Sequence, residues 1–238
     1  MKILVWGIEP ELKTVKEKAK YLIDTANIFN VHLEFVGVGK TFTTFTNRLY
    51  FLQKYLKNIP PEEIVVVMDG YDTLFNNSLQ KLEEEFKKKD TRILISAEKM
   101  FTYQWAKYKD NYDKIKSEYR YVNAGTFMGY AKDIVSMLED LFNLYKIHPT
   151  DIDQGLMGAW AYNNLEQKEK VQLDTDCSIF WVTSKDWHIL DKLHKKLTNP
   201  TTGTTPCIVH NTSNSSFFKY FTHMHGLIMQ NKVNNSHK

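Results

Sequence analysis

Asp69 and Asp72 stand three residues apart, directly after the apolar run Ile64-Val65-Val66-Val67-Met68. Two carboxylates at this spacing offer hard oxygen ligands, a donor set that suits Mg²⁺ or Mn²⁺ carrying a diphosphate. The run before them is short, rich in β-branched residues and preceded by Pro60-Pro61, which reads as a central strand buried on both faces. In open α/β sheets, ligands bind beyond the carboxyl ends of such strands, and Gly70 lets the backbone turn between the two carboxylates. Taken alone, the pair is more often what opens a turn and caps a helix, here the one expected from Ser78. The rest of the chain has to separate these readings.

The elements around the pair alternate. Lys2 to Ile8 reads as a strand, and Pro10 to about Asn30 as an amphipathic helix with Leu12, Val15, Ala19, Leu22 and Ile23 on its apolar side. A strand over Val31 to Val38, a helix over Phe45 to Leu56, the Ile64 strand, a helix over Ser78 to Lys88 and a strand over Arg92 to Ala97 follow. This βα order predicts an α/β domain with a mostly parallel, right-handedly wound central sheet. Met100 to Tyr119 breaks the pattern with aromatics and lysines and reads as a lid-like segment with helical pieces. Tyr121 to Ala131 reads as a strand whose glycines mark close approach of a ligand or backbone. Helices over Asp133–Ile147 and Asp151–Asn164 come next, then strands at Val171–Asp174, Ile179–Val182 and Cys207–His210, and a helix over Asn214–Gln230. Residues 198–205 read as a surface loop. One domain over residues 1–230 is expected, with the polar tail 231–238 disordered.

Composition narrows the function classes. Lysine and arginine number 31 against 28 aspartates and glutamates, and the run Lys87-Lys88-Lys89 follows Glu83-Glu84-Glu85. That pattern is a solvated helix face rather than a nucleic-acid surface. Met1 to Gly7 is too short an apolar segment for a signal peptide, and no run approaches the roughly 20 apolar residues that span a bilayer. A soluble chain, cytoplasmic by default, is the expectation. Cys177 and Cys207, a lone pair, read as two buried thiols.

Five pieces in order carry more information than any one: Asp69-x-x-Asp72, Ser96-Ala97-Glu98, Tyr121-Val122-Asn123-Ala124-Gly125, Asp151-Ile152-Asp153-Gln154 and Val209-His210. This ordered series resembles the glycosyltransferase domain of the procollagen lysyl hydroxylases and the related collagen glycosyltransferases, from the first strand to about Tyr220. The resemblance implies a single GT-A (Rossmann-like) domain that binds a UDP-sugar with Mn²⁺ and transfers the sugar to a hydroxyl. It implies Asp69, Asp72 and His210 as metal ligands, and an imidazole beside two carboxylates suits Mn²⁺ better than Mg²⁺. It places Tyr71 on the uracil, Val38 and Thr46 at the nucleoside, and Arg48 near the diphosphate, with Lys40 a competitor for that last role. Asp153 and Gln154 would line the sugar and acceptor site, Asp153 as general base or as stabiliser of an oxocarbenium-like transition state. Asn123 would contact the donor sugar or acceptor, and Glu98 would orient neighbours. Helix capping by Asp151 or Asp153 is the competing structural role.

The chain departs from the family pattern after His210. In place of a glycine-asparagine-glycine turn and a lysine it has Asn211-Thr212-Ser213-Asn214-Ser215-Ser216. Ser213 can still donate to the diphosphate, and Lys219 can supply the charge from a turn further on. The acidic run is thinned to Asp151-Ile152-Asp153, and Tyr103 and Trp105 are the nearest matches to the tryptophan of the family's gating loop. The function implied is glucose transfer from UDP-glucose to galactosyl-hydroxylysine of a collagen-like chain. Galactose transfer to hydroxylysine, transfer to another glycan, and a non-catalytic UDP-sugar or glycan-binding module are the alternatives. His223 and His225 are expected on the exposed face of the last helix.

Overall fold

The computed structural model of the chain describes residues 1–183, 186, 197–212 and 218–235. The six-stranded central sheet contains β1 (Lys2–Trp6), β2 (Leu33–Val36), β3 (Ile64–Asp69), β5 (Ile93–Glu98), β6 (Tyr121–Tyr130) and β7 (Val171–Asp174). Its spatial order is β2-β1-β3-β6-β5-β7. The pairs β1/β2, β1/β3 and β5/β7 are parallel, and β6 runs antiparallel to both β3 and β5. A smaller sheet, ordered β4-β9-β8, holds β4 (Thr73–Phe75), β8 (Phe180–Val182) and β9 (Ile208–His210).

The central strand behaves as its residues dictate. Side chains alternate across a strand, and Val65 and Val67 join Leu4 and Trp6 in the core on one face while Val66 and Met68 join Ile3 and Val5 on the other. The helices cover both faces: α1 (Leu12–Lys18), α2 (Lys20–Ile28), α3 (Phe45–Leu56), α4 (Leu79–Lys88), α5 (Lys109–Asp113), α6 (Ala131–Ile147), α7 (Asp153–Asn164) and α8 (Phe218–Asn235). The single helix expected over residues 10–30 is divided at Ala19 (φ −86°, ψ 13°), between α1 and α2. Ser78 caps α4 by accepting from the Lys81 amide, which gives that helix its own cap without either aspartate. In the 100–120 segment a 3-10 turn at Ala106–Tyr108 precedes α5, and Tyr112 and Tyr119 are fully buried.

Both cysteines are buried free thiols. His223 is exposed, but His225 is not on an open face. Its ring meets Tyr21 edge-on at 4.7 Å and its Nε2 lies 3.3 Å from Asp24 Oδ2, because α8 packs against α2. Residues 236–238, part of the tail expected to be disordered, lie outside the described residues. No helix among the described residues is long and apolar enough to cross a membrane.

One buried carboxylate fixes the path from the large sheet to the small one. Asp174, fully buried at the end of β7, accepts from the Ile179 and Phe180 amides at 2.9 and 2.7 Å, and Lys89 Nζ lies 3.0 Å away. Asp174→Ala leaves two buried amides without an acceptor and is expected to lower stability by about 2–4 kcal/mol in urea denaturation, since each orphaned group costs about 1–3 kcal/mol.

Candidate active site

Asp69 is the last residue of β3 and pairs with Trp6 of β1. The chain then passes so close to β1 that a Cβ on residue 70 would lie 2.4 Å from the Trp6 carbonyl oxygen. Glycine is required there for space, since its φ is not in the left-handed region. After Asp72 the chain enters β4, where Thr73 pairs with His210 of β9, and the Asn211 amide donates to the Asp72 carbonyl at 2.8 Å. The antiparallel β4/β9 register is therefore what brings a histidine 138 positions downstream of Asp72 to the carboxylates.

Asp69, Asp72 and His210 offer ligand atoms that all lie within 4.8 Å of one another, the one such three-residue group among the described residues. His210 Nε2 is 3.5 Å from Asp69 Oδ2 and 3.5 Å from Asp72 Oδ1. Its Nδ1 is 3.1 Å from Asn123 Oδ1, which also accepts from the Gly125 amide at 3.0 Å. An amide oxygen facing Nδ1 places the proton there and leaves the Nε2 lone pair toward the carboxylates, the arrangement a metal-binding imidazole needs. Burial pushes the His210 pKa down, but Asp72 and Asp69 outweigh it and hold it above its ordinary value. The same field favours a cation between these groups.

Gly125 of β6 makes the room. A Cβ built there would be 2.2 Å from His210 Cε1 and 2.6 Å from Asp69 Oδ2. Two carboxylates, an imidazole with its outer nitrogen held and a wall without a side chain fit a divalent cation such as Mn²⁺.

Arg48 joins this group to Asp153. Thr44 caps α3 by accepting from the Asn47 amide, and α3 sends Arg48 inward. Its Nε donates to Asp153 Oδ2 at 2.6 Å, its Nη1 to Asp69 Oδ1 at 2.5 Å and its Nη2 to the Ala124 carbonyl at 3.4 Å. Burial pushes both Asp153 and Asp69 upward in pKa, and Arg48 opposes the shift at each. Asp153 does not cap α7. Ile152 occupies the N-cap position without a side-chain cap bond, and Asp153 is turned inward instead, with only 2% of its surface exposed.

The other expected site residues divide. Gln154 spends its amide on the protein: Oε1 accepts from the Ala124 amide, and Nε2 donates to Glu98 Oε1 and the Thr102 carbonyl. Glu98 Oε1 also accepts from Asn123 Nδ2, so Asn123, Gln154 and Glu98 form one buried network behind the metal-type group. Thr46 is buried, and its hydroxyl donates to the Thr150 carbonyl at 2.8 Å, tying α3 to the segment that leads into Asp153. Val38 is half-buried in the turn after β2, and the exposed Lys40 follows it. Tyr71 is half-buried, with its hydroxyl 3.3 Å from Glu9 Oε1 and Lys18 Nζ 5.6 Å over its ring. Lys219 is exposed on α8 with its Nζ 4.4 Å over the Tyr220 ring. Ser213 lies outside the described residues. Tyr103 and Trp105 press on the first turn of α7: a Cβ on Gly155 would be 2.9 Å from the Tyr103 carbonyl oxygen and 3.4 Å from Trp105 Nε1.

The sequence marks Gly125 only as a glycine of close approach in the β6 run and names no partner for it.

Comparison with known proteins gives this geometry a family. The model of the PLOD GT domain family matches residues 13–233. Uncharacterized protein R699 of Acanthamoeba polyphaga mimivirus is 24% identical over 183 residues, covering 76% of this chain and 38% of that protein. The multifunctional procollagen lysine hydroxylase and glycosyltransferase LH3 of Homo sapiens is 24% identical over 162 residues, covering 64% of this chain and 21% of LH3. The chain thus spans well under half the length of these two relatives. Among solved structures, a glycosyltransferase involved in glycosylation of the major capsid of PBCV-1 superposes with a TM-score of 0.54 at 12% identity, covering 94% of this chain and 98% of that one. With its mostly parallel sheet and its carboxylates at the strand ends, the chain belongs to the PLOD GT domain family and has the GT-A glycosyltransferase fold.

Proposed function

We propose that this glycosyltransferase uses a UDP-sugar and Mn²⁺, and that its reaction is glucose transfer from UDP-glucose to galactosyl-hydroxylysine of a collagen-like chain. The observation that carries the metal-dependent reading is the convergence of Asp69, Asp72 and His210 within 4.8 Å at the carboxyl end of β3. The donor and acceptor are suggested by the family and by LH3, which its name describes as a procollagen lysine hydroxylase as well as a glycosyltransferase.

In this reading Asp69, Asp72 and His210 hold the cation. Once bound, it neutralises charge that develops on the departing UDP. Tyr71, next to Asp72 in the chain, covers the uracil. Asp153 faces the reacting sugar and either takes the acceptor proton or stabilises positive charge at the anomeric carbon. Asn123 and Glu98 hold the His210 side of the site, and Gln154 braces the first turn of α7 against β6.

Tyr71→Ala is expected to weaken UDP binding about tenfold, since stacking on a base is worth about 1–3 kcal/mol. Isothermal titration with UDP checks it. The reaction itself is tested by UDP release from a panel of UDP-sugars, with Mn²⁺ or EDTA, and with and without a galactosyl-hydroxylysine peptide. The expected result is Mn²⁺-dependent release from UDP-glucose stimulated by the peptide. Stimulation by UDP-galactose with an unglycosylated hydroxylysine peptide would reassign donor and acceptor. UDP binding with no release from any donor would instead make the chain a non-catalytic binding module.

A further inference from the structure

Arg48 occupies an unusual position for a residue expected at a diphosphate. It is buried, and each of its three guanidinium nitrogens already has a protein acceptor: Asp153, Asp69 and the Ala124 carbonyl. Its guanidinium carbon lies 5.1 Å from the Trp6 ring centre and 5.5 Å from that of Phe45, so aromatic rings pack against it as well. Asp69 is divided between two tasks. Its Oδ1 accepts from Arg48, while its Oδ2 faces His210 at 3.5 Å.

We propose that Arg48 is a positioning residue, a strut that fixes the carboxylates of Asp69 and Asp153 relative to each other, and not a contact to the diphosphate. The inference rests on the transfer reading for its kinetic consequence, but its geometry does not. A guanidinium is a planar fork that can hold two carboxylates at a set spacing, which an ammonium cannot do. Three of the five guanidinium N–H groups are taken by Asp153, Asp69 and the Ala124 carbonyl, and with Arg48 only 6% exposed and packed against Trp6 and Phe45 a diphosphate could turn the fork toward itself only by drawing it away from Asp153, a buried carboxylate that would lose its cation. Through Asp69, Arg48 links the metal-type group to the carboxylate proposed to act on the sugar. The orientation of Asp153 is thereby set by the same side chain that aligns a metal ligand.

The two roles make opposite predictions for Arg48→Lys and Arg48→Gln, compared with the intact chain. A strut predicts that UDP affinity measured calorimetrically at saturating Mn²⁺ stays within about threefold, while kcat for donor turnover falls about 100-fold or more at little-changed KM. It also predicts that Arg48→Gln costs no further kcat once Asp153→Asn is present, because the two act as a unit. UDP affinity reduced about tenfold with uridine affinity unchanged, or additive losses in the double variant, would overturn it.

Arg48→Gln leaves the buried Asp153 and the partly buried Asp69 without their cation and is the variant most prone to misfold, so an arm on the unaltered chain is included. The Arg48 Nε–H resonance, assigned by its absence in Arg48→Lys, is expected to stay in place when UDP is added to the chain already saturated with diamagnetic Mg²⁺. A shift tracking UDP but not uridine would overturn the proposal. A chain that binds UDP yet turns over no donor refutes the transfer reading, and the affinity and resonance measurements still decide the role of Arg48.

Discussion

Gly125→Ala is expected to abolish metal-dependent UDP binding in a chain that still folds. The added methyl group would sit 2.2 Å from His210 Cε1 and 2.6 Å from Asp69 Oδ2, distances at which something has to move. β6 is paired with β3 up to Thr126 and with β5 at Tyr121–Val122 and again from Phe127, so the backbone is fixed on either side of Gly125, and His210 and Asp69 are the groups that give way. His210 has little freedom to retreat, because its Nδ1 is held by Asn123 and its strand by Thr73. Overpacking of this kind costs about 1–3 kcal/mol of stability, which a domain of this size tolerates. Mn²⁺ affinity is expected to fall about 100-fold or more, at the upper end of what disturbing the support of a metal ligand does. Circular dichroism reports the fold, and titration with UDP at fixed Mn²⁺ reports the binding. Unchanged UDP affinity in a folded Gly125→Ala chain would mean that the Asp69, Asp72 and His210 group is not where the metal acts.

The second large effect belongs to Asp153→Asn. The amide keeps an oxygen for Arg48 and nearly the same volume, so the site is expected to hold its shape. It loses the charge and the capacity to accept a proton. Turnover is expected to fall about 1,000-fold, within the range that a positioned acid or base supplies, while UDP affinity changes little. Steady-state UDP release and calorimetry on the same preparation check the split. An Asp153→Asn chain with near-normal turnover would show that this carboxylate acts only in the fold, as a partner of Arg48.

How much of this was legible in the sequence differs from element to element. The β3 run announces itself because a strand buried on both faces needs apolar residues at every position, and Val65 to Met68 supply them to both faces of the sheet. The limits of α3, Phe45–Leu56, follow from its pattern and its Thr44 cap. Strand direction is another matter. The ten residues of β6 read as a strand either way, and nothing in their spacing marks them as antiparallel to β3 and β5. The small sheet is built from strands of three residues, too short for a period to show, yet its β4/β9 register is what delivers His210.

The site shows the same division. The proximity of Asp69 to Asp72 is written in a three-residue spacing, whereas the bond from Arg48 to Asp153 spans 105 positions and appears only in three dimensions. Asp153 in the first turn of a helix looks like a capping residue by local rules. Tertiary structure overrides them by supplying a buried guanidinium that an inward-facing carboxylate can reach. Gln154 and Asn123 have the polar groups expected of sugar contacts, but the packing of α7 against β6 directs those groups to Glu98, Ala124 and His210.

The measurement that tests the account most directly is the paramagnetic resonance signal of Mn²⁺ titrated with the intact chain, with and without UDP, beside Gly125→Ala as the control. The account predicts that the free-ion signal is lost as one Mn²⁺ binds per chain, more tightly when UDP is present, and that the Gly125→Ala chain leaves it free. Mn²⁺ that stays free beside the intact chain and UDP, or that binds Gly125→Ala equally well, would contradict a metal-assisted transfer site at Asp69, Asp72 and His210.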